Sequence, residues 1–185
     1  REPSSWYWLT GPPRPAAGSA DAADTIKSTF GPATPEILAA VTVPEKDLAE
    51  ITDDSVGLRG EEIGSYHRVL ARARDLPQAY LEATARDAAF SVLQKQPGHF
   101  RGQVITVSGD LRRLTNFPVR ENDEGITELY EALVFTADSG TTPYRIRLTT
   151  PPTGLPTGES IDPATPVRVV GYFFKRDQYI VQQDL

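Results

Sequence analysis

The chain has 185 residues, 39% hydrophobic and 24% charged, with a net charge of -6 and no cysteine. That is room for one domain and an approach segment. It excludes disulfides, thiolate metal sites and thiol nucleophiles, and an acidic balance argues against a broad phosphate-binding surface. No apolar run approaches the ~20 residues of a spanning helix. The chain begins with Arg and contains no Met, so the expectation is a processed or excised piece, with any membrane anchor elsewhere.

Residues 1–57 read as an approach segment with short helices. Ser5-Trp6-Tyr7-Trp8-Leu9 holds both tryptophans. It reads either as an arm packed on the domain or as an interfacial anchor, since Trp and Tyr favour the membrane–water boundary. Gly11-Pro12-Pro13-Arg14-Pro15 and the alanine-rich stretch after it have linker composition. Thr34-Pro35-Glu36-Ile37 carries a cap, a proline at the first helical position and an early acid. Thr42 to Ile51 repeats that theme and predicts a second short helix. Asp53-Asp54 reads as a turn or cap rather than a metal site.

Residues 58–98 predict a helical hairpin. Ile63, Tyr66, Val69, Leu70, Ala73 and Leu76 recur at spacings of three and four and form one apolar stripe. Glu61 and Glu62 in the first turn and Arg72 and Arg74 in the last suit the helix dipole. Leu76-Pro77 should break the helix. A second helix is expected from about Pro77 to Gln94, with Leu81, Ala85, Ala88, Ala89 and Val92 on one face.

Residues 99–185 predict a five-stranded barrel. His99 to Leu111 is rich in β-branched residues, with Gly109 placed where a long strand bends; Leu111 and Leu114 continue it. The second strand is Ile126 to Thr136. The third is Tyr144 to Thr150, with Ile146 and Leu148 inward and Arg145, Arg147 and Thr149 outward. A proline-rich loop with no helix follows. The fourth strand is Val167 to about Lys175, past Gly171, and Asp177-Gln178 turns the chain into a fifth, Tyr179 to Gln182. Five strands, two glycine bends and this crossover describe an OB-like barrel. The expected fold is therefore α+β: a helical hairpin followed by a five-stranded OB-like β-barrel.

Four segments carry a resemblance to a known family: Glu61-Glu62 through Tyr66, Arg101-Gly102-Gln103-Val104, Leu129 to Phe135, and Val167 to Lys175 with its Gly-Tyr-Phe-Phe-Lys run. Over roughly residues 40–185 the chain resembles an uncharacterised OB-fold-like domain family of planctomycete-type bacterial membrane proteins. The resemblance implies an OB-like fold beside transmembrane segments and a partner in the membrane or envelope. It carries no catalytic residues.

No catalytic residue, metal ligand or cofactor site is assigned. His67 and His99 lack a metal-spaced partner, and no GxSxG elbow, P-loop or dinucleotide glycine motif occurs. OB folds bind oligonucleotides and oligosaccharides around strands two and three. The candidate binding residues are therefore Arg145, Arg147 and Arg112, with Tyr130 or Tyr144 as a stacking platform. The competing reading pairs these arginines with Glu128, Glu131 and Asp110 across strands. From Phe100 on there are nine Lys/Arg and eleven Asp/Glu, which disfavours nucleic acid. The expectation is a non-enzymatic binding or interaction module, the extracytoplasmic part of a membrane-anchored protein. An oligonucleotide or oligosaccharide binder and a carboxylate-dependent enzyme are the alternatives.

Overall fold

Strand β8, Thr165–Tyr179, runs down the middle of the molecule with apolar side chains on both faces. Val167, Val169 and Phe173 enter one core, and Val170, Tyr172 and Phe174 enter another. A strand buried on both faces reads as a near-continuous apolar run, and Val167 to Phe174 is such a run. The computed structural model describes residues 4–10, 13–15 and 32–179. The fold is α+β and β-rich.

In chain order the elements are β1 (Ser4–Thr10), β2 (Pro13–Pro15), α1 (Pro35–Val41), β3 (Ser55–Val56), α2 (Ile63–Asp75), α3 (Gln78–Thr84), β4 (Arg86–Asp87), α4 (Phe90–Lys95), α5 (Pro97–Phe100), β5 (Val104–Pro118), β6 (Glu128–Phe135), β7 (Tyr144–Leu148) and β8. Short 3-10 turns at Glu45–Asp47 and Gly60–Glu62 lie between them. Strand β5 is long and serves two partners. Its first half, Val104–Leu111, pairs antiparallel with β8, and Asp110–Pro118 pairs antiparallel with β6. The register shifts between Leu111 and Arg113. Gly109 sits where the two ladders meet, and a Cβ there would run into the Phe135 backbone carbonyl. The irregularity expected in this strand is present. Its bulge falls two to three residues after the glycine, whose role is to let β6 come close.

Among the described residues after His99 there are four strands. Residues 104–179 give the order β7-β6-β5-β8, and that sheet is open between β7 and β8. Asp177-Gln178 makes no turn: both residues continue β8 and pair with Ser55 and Val56 of β3. Asp177 looks like a turn residue in sequence, but its carboxylate accepts the Gly57 N–H at 2.8 Å and faces Arg145. A chain whose polar side chain is satisfied need not turn out to water. Of the expected fifth strand, residues 180–182 lie outside the described residues. Alongside β8 and β7 runs β1, antiparallel to the first and parallel to the second. The Trp6 and Trp8 side chains, on which both readings of that segment turn, lie outside the described residues.

The helical hairpin is also rearranged. Helix α2 forms as its stripe predicts and lies on the sheet. The expected helix from Pro77 to Gln94 is broken into α3, β4 and α4. The Thr84 hydroxyl donates back to the Tyr80 and Leu81 carbonyls, Arg86 and Asp87 pair with Ile105 and Thr106, and the Phe90 N–H donates to Asp138 at 2.8 Å. Pro97 opens the one-turn α5 rather than ending a helix. Helix α3 packs on α1, whose cap is as expected: Thr34 Oγ1 accepts from the Ile37 N–H. The helix expected over Thr42 to Ile51 is reduced to the turn at Glu45–Asp47.

Two cores follow. The inner core gathers Ile105, Leu111, Val134, Ile146 and Phe173, closed by Leu155 and Ile161 from the proline-rich loop. The outer core lies between the sheet and the helices and holds Tyr66, Leu70, Leu81, Leu129 and Phe174. The Tyr172 hydroxyl donates to the Val41 carbonyl at 2.6 Å, tying α1 to β8. The site lies at the edge of this outer core.

Candidate functional site: a groove between helix α2 and the outer sheet face

Alternation in β7 sends Tyr144, Ile146 and Leu148 into the inner core and Arg145 and Arg147 to the outer face. Across the ladder, Arg147 faces Glu131 and Arg145 faces Leu133 on β6, while Thr115 faces Glu131 and Phe117 faces Leu129 from β5. This face therefore carries arginines, one glutamate and apolar side chains in register. Helix α2 covers part of it with Tyr66 and Leu70. The uncovered part is a groove of about 410 Å³, within the size range of small-ligand pockets. Leu58 and Ile63 form one wall and Phe117 and Leu129 the other, with Arg145 and Arg147 at the base and Arg120 at the rim. Ile63 is 44% exposed.

The basic side chains are not free. The Glu131 carboxylate lies 2.5 Å from Arg147, 3.4 Å from Arg145 and 3.9 Å from Arg113. Arg145 also stands 3.6 Å from Asp177, and Arg113 reaches Glu159 at 2.9 Å. The Arg147 guanidinium stacks over the Phe117 ring at 4.6 Å. Burial pushes the basicity of Arg145 down, with Arg147 adding to this and the two carboxylates opposing it. Burial pushes the Tyr66 hydroxyl well above the ordinary phenol range. His67 also lines the groove; burial lowers its pKa from 6.5, against a smaller opposing pull from Glu124. Its ring lies 5.5 Å from that of Tyr66.

Behind this network is a second, sealed one. Lys175 and Glu62 are both fully buried and 2.8 Å apart. The Lys175 ammonium has three donors, and all are used: to Glu62, to Ser55 Oγ at 2.7 Å and to the Gly57 carbonyl at 2.7 Å. Glu62 accepts in addition from the Thr52 and Arg59 N–H groups, at 2.7 and 2.8 Å. Burial alone would raise its pKa, but these donors outweigh it and hold the carboxyl below 4.5.

Of the residues expected to form a site, Arg145 and Arg147 come together. Tyr144 is 1% exposed in the inner core, edge-on to Phe90, so it offers no stacking face. Tyr130 packs toward the inner core and its hydroxyl donates to Glu128, on the other side of the sheet from the arginines. Arg112 stacks over Phe135 at 5.5 Å and does not line the groove. The alternative use of the arginines is realised at Glu131 alone. Glu128 accepts from Asn116 and Tyr130, and among the described residues Asp110 makes no ion pair. Phe117, Arg120 and Leu58 carry no signal in the sequence that marks them for a site, and Ile63 is expected there only as the first residue of the α2 stripe. Alternation along β5 bears on the first of them only in that it puts Phe117 on the face of Arg113.

Among the described residues no group of His, Asp and Glu is arranged to hold a metal ion, and no helix is long and apolar enough to cross a membrane. No family model matches the chain, and no curated protein or solved structure is similar enough to count as a match.

Proposed function

We propose that this protein is a non-catalytic binding module on an OB-like sheet, the soluble part of a bacterial membrane or envelope protein, and that the groove beside α2 is its binding site. One observation carries the reading. The ionisable groups at the base of the groove are committed to one another, which leaves guanidinium edges between apolar walls. Besides the arginines, Tyr66 and His67 are the titratable side chains of the lining: burial keeps the Tyr66 hydroxyl protonated, and among the described residues no hydrogen bond orients the His67 ring. Neither a base nor a nucleophile is positioned there. Glu131 and Asp177 would be the acids of a carboxylate enzyme, and both are held by Arg145.

The OB-like reading rests on pairing. A long bent strand shared between two partners, a β6–β7 hairpin, and β1 set parallel to β7 and antiparallel to β8 match the strand neighbours of such a barrel. In this reading β1 takes the place expected for a fifth strand after Asp177. Membrane attachment and an envelope partner rest on the family resemblance alone.

Amide chemical-shift mapping with a small-molecule fragment mixture tests the site. Shifts gathered on Ile63, Phe117, Val119 and Leu129 are expected; shifts scattered over the surface would sink it. A second reading, an oligonucleotide binder, is favoured by the position of the groove on the outer face of β6 and β7. Fluorescence anisotropy of labelled single-stranded DNA and RNA at low and high salt separates the two. Steep loss of binding with salt would favour the second.

A further inference from the structure

The groove has a charge pattern that narrows what it takes. At its base Arg145 and Arg147 are matched by Glu131 and Asp177. At its rim Arg120 is exposed and, among the described residues, makes no ion pair. The loop that carries Arg120 also carries Glu121, Asp123 and Glu124. Glu124 lines a different hollow beside Arg68 and Asp75, and Glu121 and Asp123 are exposed. A polyanion following this loop meets its acids at once. A single anionic group beside Arg120 does not.

The walls add the second half. Leu58, Ile63, Phe117 and Leu129 are all apolar, and Ile63 is exposed at the first turn of α2 where a globular protein normally places a polar residue. An exposed isoleucine on one wall and a partly buried phenylalanine on the other leave apolar surface open on both sides, the kind that marks a binding groove.

We propose that this groove binds a small amphiphilic carboxylate, with the apolar or aromatic body between Ile63 and Phe117 and the carboxylate held by Arg120 at the rim. This rests on reading the groove as the binding site. A carboxylate suits a guanidinium because two parallel N–H donors match its two oxygens. Arg120 sits in solvent, so the ion pair alone contributes little. The apolar walls supply the rest. Both parts of the ligand are therefore needed, and an inorganic anion or a neutral hydrocarbon should each bind more weakly than the combination.

The test uses 2-naphthoate and octanoate against their neutral counterparts, 2-naphthalenemethanol and octanol, by calorimetry and by amide shifts on the whole chain. Saturable binding of both acids is expected, with shifts at Ile63, Phe117 and Val119, and about three- to fivefold weaker binding of the alcohols. Arg120→Ala should bring the acids down to the level of the alcohols and leave the alcohols unchanged. Ile63→Asp, at an exposed position that tolerates it, should abolish both. Arg112→Ala, away from the groove, should change neither. Equal affinity for acid and alcohol in the groove, or indifference to Arg120→Ala, would overturn the anionic specificity while the groove remained a binding site. If neither probe moves the groove amides, the site and its ligand class both fall.

Discussion

Lys175 on β8 and Arg147 on β7 are both withdrawn from bulk water, and both are matched by a glutamate. At Lys175 the withdrawal is complete. Three donors meet three acceptors, and Glu62 collects two backbone N–H groups besides. At Arg147 it is partial: the side chain keeps 13% of its exposure, stacks on Phe117 and borders the groove. The first arrangement has no room for anything else. The second shares one carboxylate among several arginines and keeps one edge toward solvent. A sealed ion pair fixes a loop against a strand, whereas a half-open one leaves charge where a ligand can feel it.

Breaking the sealed site should have the largest effect. Lys175→Met leaves the Glu62 carboxylate buried without its cation, and loss of one partner of a buried pair costs about 3–5 kcal/mol. Urea unfolding should report that loss. Adding Glu62→Leu should return part of it, because an apolar pair of similar size avoids the uncompensated charge. If the double variant is no better than the single one, the N–H bonds to Thr52 and Arg59 matter more than the ion pair.

Glu131→Gln should be milder, about 1–3 kcal/mol, since it weakens hydrogen bonds to charged groups that are only partly buried. It should also tighten 2-naphthoate binding, because Arg145 and Arg147 lose their shared counter-charge. Destabilisation without tighter binding would mean that the base of the groove is electrically remote from its rim.

Acid should separate the two sites by pH. Burial holds His67 below 6.5, so below pH 6.5 the unfolded chain takes up the proton first. Stability should therefore fall as pH drops from 6.5 toward the lower folded value. Glu62 is held below 4.5. Its contribution is present above 4.5 and is lost only as pH falls through the lower folded value. Unfolding curves from pH 7.5 to 3 should show the two limbs, and His67→Gln should flatten the first only. The smallest effect belongs to Arg120→Ala: an exposed change away from any ion pair should shift stability by less than about 0.5 kcal/mol, even as it weakens carboxylate binding.

The parts legible in the sequence are those set by local period. The α2 stripe, the outward Arg145 and Arg147, and the Val167 to Lys175 part of β8 follow from local spacing and composition. What was not legible depends on partners far along the chain. Asp177 reads as a turn because nothing near it accounts for a buried aspartate; its donor, the Gly57 N–H, lies 120 residues away. Nothing near Lys175 marks it as a buried cation, because its partner Glu62 is 113 residues distant. The alanine-rich stretch after Pro77 has good helix formers, yet ladder pairing of Arg86 and Asp87 with β5 overrides them. Tyr144 looked like a platform because alternation places a side chain on a face without saying how deeply that face is buried.

The stitching of Gly57 to β8 also sets an order of assembly. Its carbonyl and its N–H are held by Lys175 and Asp177, 118 and 120 residues further along. Contacts that close loops of this length form slowly and late. Helix α2 and the β6–β7 hairpin are local and can form first. On a ribosome, where the chain emerges N-terminus first, the segment carrying Gly57 and Leu58 must wait for β8 before it can settle. The Leu58 end of the groove wall is thus among the last pieces to be set, and a nascent chain stalled before Lys175 would have Arg145 and Arg147 beside Glu131 but not yet this end of the wall.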